Sequence, residues 1–265
     1  MTLVTVREEH LPAGTLEEKF EAAQAWGFDG ISLRRTGERD LVSRMTELRR
    51  AKANGVVMPT AGDEARHGVR VPDPSNGSDT LRRLTTQLTV IAEIGGIGLV
   101  TSASLGLFSK QVDRVKPPRS HDKQRTVLLE ALQKLGAHAE SMGVELLLEP
   151  RNRYEEGVVT SLADAAHLIE EAGSPAIRIA AGTFHMNLEE ADPAAALLGV
   201  AAHVGHVRAS DSNGREPGAG HLDWALFGST LRAMGYDRSV AVGAVLSGPA
   251  EAVLPPAAGL LRRYL

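Results

Sequence analysis

The feature that most constrains this chain is a repeat of helical stretch, glycine and short apolar run. Gly27 precedes Phe28–Leu33, Gly55 precedes Val56-Val57-Met58, and Gly95 and Gly96 precede Ile97–Val100. Gly143 precedes Val144–Leu148, Gly173 comes shortly before Ile177–Ile179, and Gly235 shortly before Val240–Val242. Glycine relieves the left-handed turn that ends a helix. A short apolar strand after it suits a parallel sheet buried on both faces. An opening strand near Leu3–Val6 and another near Val204–Val207 bring the strands to eight. The helical segments include Leu16–Trp26, Leu41–Ala53, Thr80–Ile94, Lys123–Met142 and Leu162–Glu171. Such alternation predicts an α/β fold. Eight units in about 250 residues predict a closed (β/α)8 TIM barrel rather than an open doubly wound sheet. No glycine-rich dinucleotide turn follows the first strand. No linker divides the chain, so residues 1–265 are expected to form one domain.

Composition narrows the function. The chain is 43% hydrophobic but only 4% aromatic, so Ala, Val and Leu must fill the core. The net charge is -4 and no block of like charge stands out, which argues against nucleic-acid and membrane partners. The absence of cysteine excludes disulfides, thiolate metal sites and a Cys nucleophile. Neither a signal peptide nor an apolar run of roughly 20 residues is present, so a cytoplasmic setting is expected.

In such a barrel the reactive groups sit at the C-terminal ends of the strands. The fifth ends in Leu148-Glu149-Pro150-Arg151-Asn152-Arg153-Tyr154-Glu155, and the sixth in Gly182-Thr183-Phe184-His185-Met186-Asn187. The seventh carries His206-Val207-Arg208, then Asp211-Ser212-Asn213 and Pro217-Gly218-Ala219-Gly220-His221-Leu222-Asp223-Trp224. The eighth ends near Val242-Gly243. His206 and Arg208 are two apart and share the inward strand face. The longest irregular stretches, Thr60–Gly77 and Ser102–His121, fall on the same end and are expected to be lids or substrate walls. His67 and His121 lie in them and are expected to be solvated.

The segments L-E-P-x-N-R-Y-E, T-F-H-M-N, D-S-N and P-G-x-G-H-x-D, in order at successive strand ends, resemble the sugar epimerase and isomerase branch of the xylose isomerase-like superfamily. Leu11–Lys19 is similar to that family's first loop and helix. The resemblance implies a TIM barrel, a small hydroxylated or oxo substrate, and a homodimer or homotetramer. It also implies one divalent ion, Mn²⁺ or Mg²⁺, held by Glu, Asp, His and Glu from strands five to eight. Carried over residue by residue, the first ligand falls on Glu149, the second on Gly182, the third on Arg208 and the fourth on Gly243. An Arg that commonly follows D-S-N falls on Gly214, with Arg215 beside it. One carboxylate cannot hold an ion that takes several protein oxygens, so no metal and no other cofactor is expected. Arg208 could supply the missing positive charge and pair with Glu149, and the two glycines could leave room for a bulkier substrate.

Three residues are therefore candidates for chemistry: Glu149 as acid/base, with Arg208 and His185 as electrostatic and hydrogen-bonding groups. Glu149 could equally be a buried structural carboxylate paired with Arg208 or Arg151. Arg208 could grip a substrate oxyanion by its planar fork. Arg151, Asp211, His206 and His221 are candidate substrate-binding residues. Each has a structural alternative: Arg151, like Glu155, as support around Glu149, Asp211 and His221 as loop fixtures like Asp223, and His206 as a core hydrogen-bonding group. A single base suits dehydration, elimination, enolisation or cyclisation better than inversion through opposite faces. The expected function is metal-independent proton transfer of isomerase, lyase or cyclase type. Two alternatives stay open: a non-catalytic paralogue that binds a sugar-like ligand or a partner, and a metal enzyme with displaced ligands such as Glu149, His185 and His206. Endonucleases on this scaffold use several His-rich zinc sites, which this acidic chain lacks.

Overall fold

A computed structural model describes residues 2–35, 40–62, 77–105 and 121–265. Eight parallel strands close into a barrel in sequence order: β1 (Leu3–Arg7), β2 (Gly30–Arg34), β3 (Thr60–Gly62), β4 (Gly98–Ser102), β5 (Glu145–Glu149), β6 (Ile177–Gly182), β7 (Val204–Ala209) and β8 (Ser239–Val242). Pairing of β1 with β8, through Leu3 opposite Ser239 and Val6 opposite Val242, closes the ring. The helices described are α1 (Leu16–Ala25), α2 (Met45–Ala53), α3 (Gly77–Ile94), α4 (His121–Met142), α5 (Leu162–Ala172), α6 (Thr183–Glu189), α7 (Pro193–Gly199), α8 (Trp224–Ala233) and α9 (Ala250–Tyr264).

Local chemistry sets these boundaries. Thr15 caps α1 in a reciprocal box with Glu18, and Ser161, Asp192 and Asp223 accept from the first turns of α5, α7 and α8. Gly143 and Gly173, which end α4 and α5, have φ of 67° and 71°. A Cβ would oppose that conformation. The apolar run 56–58 is not the third strand. Pro59 has no N–H to donate, and the regular ladder begins only at Thr60, opposite Ser32. The expected helix from Leu41 likewise starts later, at Met45.

The core lies mainly between barrel and helices, in buried aliphatic side chains such as Ile31, Leu48, Leu88, Leu128, Leu132 and Leu148. A small second cluster, Val100, Leu147 and Ala180, comes from neighbouring strands β4, β5 and β6. At the N-terminal end of the barrel Glu145 takes ion pairs from Arg178 and Arg238. Of the two expected long loops, the first includes β3. Residues 63–76 and 106–120, with His67, lie outside the described residues, and His121 opens α4. Among the described residues no helix is long and apolar enough to cross a membrane.

Candidate active site

Strand register brings the expected ends together. Ser102 pairs with Glu149, Gly182 pairs with Arg208, and the Gly243 N–H donates to Ala209 O. Glu149 is 1% exposed and Arg208 8% exposed. Arg208 Nη1 donates to Glu149 Oε2 at 2.5 Å, and Arg151 Nε reaches the same oxygen at 3.4 Å. The expected pairing of Arg208 with Glu149 is thus present. Burial alone would raise the Glu149 carboxyl. The Arg208 and Arg151 guanidiniums outweigh it, with a smaller contribution from His185, and hold the group at about 2.

The two glycines are closely packed on the side of the ion pair. A Cβ on Gly182 would lie 3.0 Å from Glu149 Oε1 and 3.0 Å from His185 Cδ2. A Cβ on Gly243 would lie 3.1 Å from Arg208 Nε and 3.2 Å from Arg7 Cδ. The ion pair and its neighbours fill the space that larger residues would need. Neither position would take a larger side chain without displacing these neighbours.

His185 stands on the first turn of α6, immediately after β6. The Asn152 backbone N–H and side-chain amide both point at its Nδ1, at 3.2 and 2.9 Å. Nδ1 therefore accepts, and the proton of the neutral ring sits on Nε2. Burial pushes the imidazole down, against the pull of Glu149 and Glu155, so the ring stays neutral. Phe184 packs edge-on against it at 5.4 Å between centroids. Asn152, a plain member of the strand-five motif, is thus what orients His185.

A narrow cleft of about 30 Å³ opens at this mouth, and its lining includes Glu149, Arg151, Glu155, His185 and Arg208. The other three candidates do not line it. His206 is fully buried, with Nδ1 against Ser239 Oγ at 2.8 Å, and burial followed by the Arg208 charge depresses it to about 3. Asp211 accepts from the Ser212, Gly218 and Leu222 N–H groups and from Trp224 Nε1, so it ties the loop after β7. His221 is exposed and shares Ser212 Oγ at 3.0 Å. The geometry favours the structural alternative for each of the three.

One carboxylate, one guanidinium and two glycines do not fit a divalent ion that takes several oxygen ligands. Among the described residues no group of three or more His, Asp or Glu is placed to hold a metal ion elsewhere.

Three residues escaped the sequence reading. Arg7, at the inward end of β1, is 5% exposed, ion-pairs with Glu9 and flanks Gly243. Glu156, one residue past the strand-five motif, is 3% exposed and accepts from Ser104 Oγ at 2.8 Å. Burial raises its carboxyl to about 7. Ser104 itself is fully buried two residues beyond β4. Only the adjacency of Glu156 to the motif could have signalled it.

Comparison with known proteins places this geometry. Residues 20–264 match the family model described as Xylose isomerase-like TIM barrel, and the chain belongs to that family. It is 32% identical over 240 residues to 3-dehydro-D-guloside 4-epimerase of Escherichia coli, covering 89% of each chain. It is 30% identical over 232 residues to D-psicose 3-epimerase of Enterocloster bolteae, covering 82% of this chain and 72% of that one. The crystal structure of apo 3-keto-D-glucoside 4-epimerase from E. coli superposes with a TM-score of 0.87 at 29% identity, covering 99% of this chain and all of the other. These relatives are sugar-modifying enzymes.

Proposed function

We propose that the protein catalyses proton transfer beside the carbonyl of a small keto-sugar or keto-glycoside, without the divalent ion its family employs. That step is common to epimerisation, isomerisation and β-elimination. The observation that carries the reading is the buried Glu149–Arg208 pair in the strand-end ring, with Gly182 and Gly243 packed against it. The epimerases it resembles supply the substrate class.

The residues would share the work as follows. Arg208 and the His185 Nε2–H donate to the oxygen on which charge develops, the role a Lewis acid would otherwise fill. While Arg208 is bound to it, Glu149 is too weak a base to move protons well near neutral pH. When the Arg208 fork turns to a substrate oxyanion, Glu149 loses its strongest counter-charge and its carboxyl rises toward the useful range. Substrate binding and base activation are then one event. Arg151, 22% exposed at the side chain, stays beside Glu149 and limits that rise.

The test is hydrogen exchange. A 3-keto-glucoside and a set of ketohexoses are incubated with the purified protein in deuterated water, with and without a strong chelator, and followed by NMR. Deuterium entering a carbon next to the carbonyl, unaffected by chelator and lost in Arg208→Met, is expected. Exchange that disappears with chelator and returns with Mn²⁺ would establish the displaced-metal enzyme instead. Binding of these compounds without exchange or conversion would leave a ligand-binding paralogue, a reading that the internal ion pairing of Glu149 also supports.

A further inference from the structure

We propose that Glu156 is the second acid/base group of this site, holding an exchangeable proton that reaches the barrel mouth through the hydroxyls of Ser104 and Ser102. The inference rests on the proton-transfer reading above and names a residue that reading does not use.

Geometry carries it. Glu156 lies in the loop after β5, seven positions beyond Glu149, and is almost wholly buried. Its Oε1 accepts from Ser104 Oγ at 2.8 Å, and its Oε2 is buried without a hydrogen-bond partner among the described residues. Ser104 Oγ is 3.4 Å from Ser102 Oγ. Ser102 is the last residue of β4 and the register partner of Glu149. Residues two apart on a strand share a face. Ser102 therefore shares the inward face with Val100, whose side chain clusters with Leu147 and Ala180, while Glu149 stands in the neighbouring row two residues above Leu147. The hydroxyls thus lead from a buried carboxyl to Ser102, 6% exposed at the end of β4 beside Glu149.

Charge separates the two carboxyls. Arg208 bonds Glu149 directly, whereas Glu156 has the neutral donors of Ser104 and Ser102 and, from a cation, the field of Arg151. Burial dominates and lifts Glu156 to about 7, while Glu149 is held at about 2. Two carboxyls driven apart by their surroundings are a recognisable division of acid/base labour. A buried carboxyl without a cationic bond partner, kept half-protonated near neutral pH, is costly to a fold and suited to proton exchange.

The step balances. With Glu156 ionised, the O–H bond of a substrate hydroxyl breaks and its proton passes to Ser102 Oγ. The Ser102 proton passes to Ser104 Oγ, and the Ser104 proton to Glu156 Oε1. The electron pair stays on the substrate oxygen, where Arg208 and His185 can meet it. Reversal returns the proton after rearrangement, and no co-reactant is consumed.

Two measurements test this. The first uses the protein alone, with glutamate labelled at the side-chain carboxyl and titrated by NMR between about pH 5 and 9. One carboxyl is expected to titrate near 7, to be absent in Glu156→Gln, and to move upward in Ser104→Ala, which keeps the carboxyl but removes its donor. If no glutamate titrates in that range, or the one that does survives Glu156→Gln, the proposal is overturned. The second measures turnover of the 3-keto-glucoside against pH. Glu156→Gln should lower kcat about 10²-fold or more with little change in KM and erase the limb near 7, and Ser102→Ala should lower kcat while leaving the limb in place. An unchanged profile in Glu156→Gln overturns the catalytic role, which a purely structural residue would also leave unmoved. If the wild type does not act on any of the sugars tested, the proposed function fails, and the labelled titration alone still decides whether Glu156 holds the proton.

Discussion

Arg208 and Glu149 are joined by a 2.5 Å hydrogen bond on the inner face of the barrel, across the end of β6 that separates their strands, with both side chains nearly out of solvent. Taking two charges out of water is expensive, and their mutual attraction repays it only while both are present. Removing one should therefore cost more than removing both. Arg208→Met is expected to lower the unfolding free energy by about 3 to 5 kcal/mol, because Glu149 is then buried with only Arg151 near it. Arg208→Met combined with Glu149→Leu should recover most of that loss. Urea denaturation of the three variants decides the matter. A double variant no more stable than the single would show that the pair does not act as a unit.

Glu149 and Glu156 should give stability opposite pH dependences. Glu156 is raised from 4.5 to about 7, so the folded chain holds a proton that the unfolded chain has released. Its contribution is complete below about pH 4.5 and is lost as pH rises through 7, on the order of 3 kcal/mol in all. Glu149 is lowered to about 2, so its contribution is present above about 4.5 and lost as pH falls toward 2. The neutral, half-buried His185 and the buried His206 add a third trend, losing stability as pH falls below about 6.5. The difference in melting temperature between wild type and Glu156→Gln isolates the first effect. That difference should shift against the wild type as pH rises from about 5 to 8. A level difference would mean that Glu156 is ionised throughout.

The loop after β7 should depend on Asp211 for its shape. Four donors, three of them backbone N–H groups, converge on this carboxylate and outweigh the effect of burial, holding the group below the usual range. Asp211→Asn replaces one accepting oxygen by a donor that faces other donors. A loss of about 1 to 3 kcal/mol is expected, with faster proteolytic cleavage between residues 212 and 222. Affinity for substrate should change little, because Asp211 does not line the cleft. A large rise in KM with normal protease resistance would return Asp211 to the binding residues.

The barrel was legible because its signals are local and repeated. Glycines such as Gly143 and Gly173 must take positive φ, and the strands between helices are mainly apolar at their centres. Legibility failed where one residue outweighed the pattern. The apolar run 56–58 reads as a strand, but Pro59 withholds a donor and the ladder begins at Thr60. At the site, residues fixed by strand position were readable: Glu149, Gly182, Arg208 and Gly243 fall where the strand ends place them. Residues defined by folding back were not. Glu156 meets Ser104 across 52 positions, and Asn152 meets His185 across 33. No sequence period connects such pairs, so a buried carboxyl beside a well-marked motif went unnoticed.

The four-ligand set that the family resemblance implies should be possible to build here only as a whole. Gly182→Asp alone would press on Glu149 Oε1 and His185 Cδ2, and its carboxylate would crowd Glu149 while Arg208 stays bound to the other Glu149 oxygen. Gly182→Asp is therefore expected to destabilise by about 1 to 3 kcal/mol, the usual scale for overfilling a packed site, and to bind no Mn²⁺. Glu at 243 alone meets Arg208 Nε and Arg7 Cδ and should pair with those guanidiniums rather than present itself to a metal. Arg208→His removes the guanidinium that meets position 243 and that holds Glu149 beside position 182. The combination of Gly182→Asp, Arg208→His and Gly243→Glu places three carboxylates and one imidazole at successive strand ends, a donor set suited to Mn²⁺. Calorimetric titration should show about one Mn²⁺ bound by the triple variant and none by the wild type or either glycine variant. Stoichiometric Mn²⁺ binding by the wild type would show that its ligands lie elsewhere in the chain and would return metal chemistry to the site.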